Sequence, residues 1–572
     1  MTKQANKLSA RTPATVRQSL YVMPLLLLLL FLCCACVCVA QKDGGVQSTG
    51  VVRELPRKGQ SGVQAYTVSA QEKDDKEWKL IRIKASTKDL EDASRYCTKI
   101  GEQIIDFEGD EVVCDEEDIL TDEKKKTIIN TILPAAIKLH KDRLRVQPHE
   151  GKLKVPNFED GSDCEYFTVP DEHHTEGVEN ADFVFYVGSG PGTSFGVTCA
   201  PEDLSSRPIA GAMNIAVFKY AGLRLSVRSI AHEMAHALGF DYERMKELNM
   251  VTTVTNVRDK DRVLVNTAVT KEKAQEHYNC PELQGMELNN EEQEEGEDQE
   301  EDEVSSHWSV RLARDELMAP PTGLTAGYYT ALTMSTFEGL GYYKANWGME
   351  EPMSWGHKGG CDFINGSCMT NGVTAFPKTF CNDTKFRCTS DRHAIGRCEL
   401  SKDVESKVFL DQCPTMEPIW KLEGEEEEEE ESSPTSLCTD GEEGLFPGSL
   451  TGEDSWCLDA ESLTVVTNKR SMRNAIRGVC ARVKCSSGGG VKVQYKGNDK
   501  WHDCPEGKSI DVRSSAFTNG KIKCPKYDEV CTITPDGRSR LSMNVELDST
   551  RRAAALSALV PLAMTFTLMG LL

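Results

Sequence analysis

Between Ala231 and Gly239 the chain reads Ala-His-Glu-Met-Ala-His-Ala-Leu-Gly. Val227, Ile230, Ala231, Met234 and Leu238 recur there at helical spacing, which predicts a helix with one buried face. Gly239 suits the residue just past its C-terminus. His232 and His236 stand four apart, so both imidazoles leave the helix on one face. Two neutral imidazoles at that separation can hold one Zn²⁺. Glu233, beside the first, can take a proton from a water that the metal activates and pass it to a leaving amine. The chemistry implied is hydrolysis of a peptide bond.

A catalytic zinc needs a third protein ligand and one open position. The spacing H-E-x-x-H-x-x-G-x-x-H would put a histidine three residues after Gly239, where Tyr242 stands instead. The candidates downstream are His277, His307, His357, His393 and His502. His277 ends the charged run Lys271-Glu-Lys-Ala-Gln-Glu-His277 and reads as solvated, while His357, His393 and His502 lie in or near a cysteine-rich stretch. His307, in Ser305-Ser-His-Trp308, precedes the segment Asp315-Glu-Leu-Met-Ala-Pro320. A methionine turn downstream of the third histidine, here at Met318, is the arrangement of metzincin proteases.

The elements that must position these groups belong to a chain of 572 residues, enough for three or four ordinary domains. With 66 Lys+Arg against 90 Asp+Glu, the net charge is −24. Nucleic-acid binding and binding to anionic membranes both need a basic surface, so neither is expected. Much of the acidity sits in two tracts, Glu291–Glu303 and Glu423–Glu431, which repel themselves and read as solvated loops.

Four of the 22 cysteines (Cys33, Cys34, Cys36, Cys38) lie in an apolar run, Leu20–Ala40, that follows a basic N-terminal stretch and reads as a secretory signal peptide. The other eighteen predict nine disulfides and an oxidising compartment. Thirteen of them fall between Cys361 and Cys531, where helical periodicity is weak, which predicts a loop-rich, bridge-held region. Asn365-Gly-Ser367 and Asn382-Asp-Thr384 are N-glycosylation patterns. The apolar tail Ala553–Leu572 behind a polar stretch with small residues has the pattern of a GPI-attachment signal. Its ω site is open between Ser542, Asn544 and the Asp548-Ser549-Thr550 stretch.

Before the motif, Lys79–Lys84, Phe167–Val169, Ala181–Val187 and Gly211–Phe218 read as strands. The stretch around Ala212–Val217 is the expected edge strand of a substrate cleft. Glu123–Arg145 has helical periodicity, with Pro134 inside it as a kink or break.

Taken together, His232-Glu-Met-Ala-His-Ala-Leu-Gly-Phe240, the displaced His307, Asp315–Pro320 and Gly327-Tyr-Tyr-Thr-Ala-Leu-Thr333 resemble the leishmanolysin family, the major surface metalloproteases of kinetoplastid parasites. The similarity extends from Trp78 to the C-terminal signal and includes Cys114–Asp122 and Gly339–Tyr343. It implies an endopeptidase with one zinc per chain, ligands His232, His236 and His307, base Glu233, and Met318 as an apolar floor. It also implies the pairs Cys97–Cys114, Cys164–Cys199, Cys280–Cys361, Cys368–Cys413, Cys381–Cys398, Cys388–Cys457, Cys438–Cys480, Cys485–Cys531 and Cys504–Cys524. Protein and peptide substrates, and a membrane held through a GPI anchor on the extracellular face, follow as expected partners.

The fold expected is α+β: a metzincin-like catalytic domain, a central domain supplying the third ligand and the Met-turn, and a disulfide-rich C-terminal domain. The boundaries are 1–40 signal, 41–77 pro-segment, 78–240 catalytic, 241–366 central, 367–545 cysteine-rich and 546–572 anchor signal. Two departures from the family stand out. No cysteine occurs between Gln41 and Tyr96 to cap a zinc ion, and the acidic tract Glu291–Glu303 sits on the insertion before His307. The rival reading is a catalytically silent surface adhesin or decoy, which would have no need of Glu233 together with three histidines.

Overall fold

The computed structural model describes residues 77–158, 161–200, 206–216, 222–291, 303–320, 325–399, 411, 413–419, 436–439, 441, 446–467, 476–486 and 488–541. The expected signal peptide, nearly all of the pro-segment, the interior of the first acidic tract, the whole of the second and the anchor signal lie outside these residues.

The first sheet has four strands: β1 (Ile83–Ser86), β2 (Phe183–Gly188), β3 (Phe195–Ala200) and β4 (Ala210–Asn214), in spatial order β1-β2-β4-β3. β1, β2 and β4 run parallel, and β3 lies antiparallel on β4. β2 is buried along its whole length, as its continuous apolar run requires of a strand covered on both faces. The expected edge strand is corrected here. β4 has a neighbour on each side, and among the described residues the edge next to it is β3.

Two other strand expectations fail because distant partners take the backbone or side-chain groups involved. Lys79–Lys84 divides at Arg82, whose backbone N–H and guanidinium both bind the Asp182 carboxylate, at 2.7–2.9 Å. Lys79–Leu80 therefore pairs with Leu144–Val146, while Ile83 begins β1. Phe167–Val169 forms no strand, because the Thr168 N–H and hydroxyl are taken by Asp89 at 2.9 and 2.6 Å.

The helical stretch near Pro134 is α1 (Asp122–Thr127), a π-helical turn (Ile128–Ile132) and α2 (Leu133–Lys141). Thr121 caps α1, accepting from the Lys124 N–H. Proline lacks an N–H and its ring crowds the carbonyl four residues back. The widened turn, in which the Leu133 N–H reaches Ile128 O, accommodates it without breaking the rod. The helix ends at Lys141, short of the expected Arg145, whose neighbours join the strand Leu144–Val146.

Helix α3 (Gly222–Ala237) carries the motif and packs against α2 and the first sheet. Twelve of its residues are buried, among them Arg224, Arg228, His232 and Glu233. Such polar groups inside a fold need partners. Arg228 finds them in the Glu351 carboxylate, at 2.5 and 3.0 Å, and in the carbonyls of Gly327 and Gly537.

The insertion after Gly239 folds as a second sheet. Its strands are β5 (Val251–Val257), β6 (Lys260–Val265), β7 (Met286–Glu291) and β8 (Glu303–Trp308), in order β8-β7-β6-β5. Helix α4 (Ala268–Tyr278) joins β6 to β7, and α5 (Ala331–Gly339) follows the methionine segment. The first acidic tract thus bridges the tips of β7 and β8, where Glu291 pairs with Glu303.

Beyond Cys361 the chain is less loop-rich than its composition suggests. Six strands, β9 (Ser455–Val465), β10 (Gly478–Cys485), β11 (Val491–Tyr495), β12 (Asn498–Asp503), β13 (Ser509–Asp511) and β14 (Phe517–Lys523), form an antiparallel sheet. All nine disulfides pair as the family resemblance implied.

Candidate metal centre

The helical period brings His232 and His236 to one side of α3, and β8 delivers His307 to them. The Nε2 atoms lie 3.1 Å (His232–His236), 3.1 Å (His232–His307) and 3.2 Å (His236–His307) apart. Tetrahedral ligands at zinc–nitrogen bond length stand about 3.3 Å apart, so the triangle matches the face such an ion needs. Among the described residues this is the one histidine, cysteine or carboxylate group of three or more able to hold a metal ion.

Each imidazole is fixed through its other nitrogen. His232 Nδ1 donates to Leu317 O at 2.6 Å and His236 Nδ1 to Phe240 O at 2.9 Å, while His307 Nδ1 bonds Ser305 Oγ at 2.6 Å. The two carbonyl acceptors assign the proton to Nδ1 and leave Nε2 as a lone pair, the form a metal requires. Burial depresses all three imidazoles, His232 to about 3, so they are neutral at physiological pH. Ser305 Oγ can accept from His307 Nδ1 in the same way, and three lone pairs then facing one another repel unless a cation lies between them. The donor set therefore fits zinc.

Gly239 makes one of these bonds available. Its φ of +108° lies where side chains are strained, and it turns the chain so that the Phe240 carbonyl comes back to His236. Where the compact motif would supply its histidine, Tyr242 opens a short helix capped by Asp241. The Tyr242 N–H accepts no ligand role but donates to Ser306 Oγ at 2.8 Å, docking β8 beside His307.

Glu233 is 5% exposed, and burial pushes its carboxyl up to about 8. Edge strand β3 lies directly over it. A Cβ on Gly196 would meet the Glu233 carbonyl, and Thr198 Oγ1 donates to Ala237 O at 3.0 Å. Met318 is fully buried. Its carbonyl accepts from the Trp308 N–H at 2.7 Å, and Leu317 before it holds His232. One short segment thus grips both the helix and the strand that supply the histidines.

The remaining histidines stay apart from this group. His277, expected to be solvated, is buried, with Nε2 2.9 Å from Trp355 O and its ring beside His357. The inward face of α4 is Thr270, Ala274, His277 and Tyr278, a helical spacing masked by the charges around it. His393 lies against Trp456, and His502 stacks on Tyr495. Asn365 and Asn382 are exposed. Motif reading missed Leu317, Phe240 and Ser305, because two of them act through backbone oxygens that any residue type carries.

The sequence model of the leishmanolysin family matches residues 37–537. The leishmanolysin of Leishmania major is 34% identical over 487 residues, covering 80% of this chain and 77% of that protein. The leishmanolysin homolog of Crithidia fasciculata is 34% identical over 501 residues, covering 81% and 72%. The leishmanolysin-like peptidase of Caenorhabditis elegans is 24% identical over 455 residues. With most of its length matched and its histidines gathered as a zinc-dependent hydrolase needs, the chain belongs to the leishmanolysin family and is a metalloendopeptidase.

Proposed function

We propose that the chain is a cell-surface zinc endopeptidase in which His232, His236 and His307 hold one zinc ion and Glu233 is the general base. When bound, the ion supplies Lewis acidity, lowering the pKa of a water towards neutrality and polarising the scissile carbonyl. Glu233 takes the water proton and delivers it to the leaving amine. Met318 is the apolar floor of the site. Among the described residues no strand pairs with the outer side of β3, and an extended substrate adds there as a further strand.

The observation that supports this reading is the convergence of three neutral imidazoles, two from the helix that carries Glu233 and one from β8, with their Nε2 atoms within 3.2 Å of one another. The test is Glu233→Ala. Peptide cleavage is lost while the protein still carries one zinc ion per chain. Undiminished turnover in that variant would sink the assignment.

The surface location rests on the sequence. Residues 1–40 are a signal peptide, 41–77 a pro-segment and 546–572 a GPI-attachment signal. The body divides into a catalytic part (78–240), a central part (241–366) and a cysteine-rich part (367–545), with glycans on Asn365 and Asn382. Phosphatidylinositol-specific phospholipase C releases the protein from cells. Full resistance to that enzyme counts against the anchor.

A further inference from the structure

Glu316 is fully buried, and its carboxylate faces four donors. Oε1 accepts from the N–H of Thr330 at 3.1 Å and from its hydroxyl at 2.8 Å. Oε2 accepts from the N–H of Met318 at 2.7 Å and from the Thr333 hydroxyl at 2.9 Å. The two N–H groups can only donate to Glu316, and each hydroxyl already accepts from another donor. The Trp308 indole can only donate, and it donates to Thr333 Oγ1 at 2.9 Å, so that hydroxyl can turn its proton to Glu316. The Leu332 N–H likewise donates to Thr330 Oγ1 at 3.1 Å. Burial pushes the Glu316 carboxyl up to about 7 while these bonds pull it down, and the ionised form accepts all four at once.

These bonds end one residue from the histidine site. The link from the Met318 N–H to Glu316 closes a tight turn around Leu317, whose carbonyl holds His232 Nδ1. The link through Thr333 fixes the indole of Trp308, the residue after His307, and the Trp308 N–H is held by Met318 O. The Trp308 ring meets Phe240 edge-on with centroids 5.1 Å apart, and the Phe240 carbonyl holds His236 Nδ1. One carboxylate therefore stands behind all three imidazoles.

We propose that Glu316 is the positioning residue of the metal centre, aiming the Leu317 carbonyl and the Trp308 backbone and, through them, the histidine Nε2 lone pairs. It touches neither substrate nor the ion. The inference rests on His232, His236 and His307 being the zinc ligands. Loss of partners behind a metal's own ligands typically costs 10–100-fold in metal affinity. In Glu316→Gln the amide nitrogen faces a backbone N–H, which cannot accept, whichever way the group is flipped. Thr333→Val removes one donor to Glu316 and the acceptor of Trp308 while keeping the shape of the side chain, and Thr333→Ser restores the hydroxyl.

The test is zinc affinity of the full-length protein, measured by competition with a chelator, together with the visible spectrum of the Co²⁺-substituted form. Glu316→Gln is expected to bind zinc about 10–100-fold more weakly and to shift the cobalt bands. Thr333→Val shifts both in the same direction, and Thr333→Ser returns both to the parent values. If Glu316→Gln does not fold, Thr333→Val decides the matter. Native zinc affinity and an unaltered cobalt spectrum in the folded variants, whatever their thermal stability, overturn the proposal. Zinc binding by the parent that survives His232→Ala overturns the ligand reading instead, and the positioning role with it.

Discussion

Gly196 on β3 lies against the main chain of Glu233, so close that a Cβ there would stand inside 3.0 Å of the Glu233 carbonyl oxygen. The strand at the sheet edge and the helix that carries the proposed base are therefore in register with each other at a single residue. Thr198 repeats the attachment at Ala237. Gly211 on β4 permits the same approach one strand further in, where a Cβ would meet that of Ala237 at 2.8 Å.

Gly196→Ala should force β3 off the helix without touching a histidine. If extended substrate docks on β3, the scissile bond moves relative to Glu233, and a displacement near 1 Å costs on the order of 100-fold in rate. The expected result is a fall in kcat/KM of about 10–100-fold with zinc content unchanged. A variant that folds, keeps its zinc and cleaves at the parent rate would show that substrate does not lie on this strand.

The helix-borne half of the candidate site was legible because its chemistry resides in side-chain types at fixed spacing. His232, Glu233 and His236 need only a helix, and Val227, Ile230 and Met234 supply its buried face. The Phe240 and Leu317 carbonyls were not legible, since a backbone oxygen leaves no mark in composition. The fold shows the same division. The β2 run was plain from its apolar residues, whereas Arg82–Asp182 and Thr168–Asp89 overrode local alternation with bonds to partners 100 and 79 residues away. The edge strand escaped for a related reason. Which of two adjacent strands has a free side is settled by pairing, and Gly196, the residue that marks β3, reads as an ordinary glycine until Glu233 is seen against it.

A second prediction concerns the back of α3. Glu351 is buried between Arg228, at 2.5 Å, and Arg143, at 3.2 Å, and its carboxylate also accepts from the Tyr329 N–H. Burial alone would raise its pKa, but the two guanidinium groups outweigh it and hold the carboxyl below the ordinary range. Arg228 also donates to Gly537 O and Arg143 to Ser539 Oγ, so the cluster ties the motif helix to the last described segment of the chain. Glu351→Gln leaves two buried cations sharing a neutral partner. Breaking a buried pair in this way costs roughly 3–5 kcal/mol, and the guanidinium chloride midpoint should fall accordingly at pH 7. A midpoint equal to that of the parent would mean that the cluster contributes nothing net.

The last prediction turns on pH. Asp315 is 2% exposed, and its Oδ1 accepts from Ser390 Oγ at 2.9 Å, while Oδ2 is buried without a hydrogen-bond partner. Burial first, and then the charge of Asp391, push its carboxyl up to about 7 from an unfolded value near 3.8. A raised carboxyl pKa means that the folded chain binds this proton more tightly than the unfolded one. Stability from this group is thus complete below about pH 4 and is lost as pH rises through about 7. Asp315→Asn removes the titration while its carbonyl oxygen keeps the Ser390 bond. The variant should unfold at a higher temperature than the parent at pH 8, a gain on the order of 1–4 kcal/mol. The gap should narrow as both are brought to pH 5, where the folded parent already carries the proton, and close near pH 4, where the unfolded chain carries it too. Thermal unfolding of the two proteins across this range measures it. A gap that is constant with pH, or that widens towards acid, would show that Asp315 is ionised throughout and that Arg314, not Asp391, governs it.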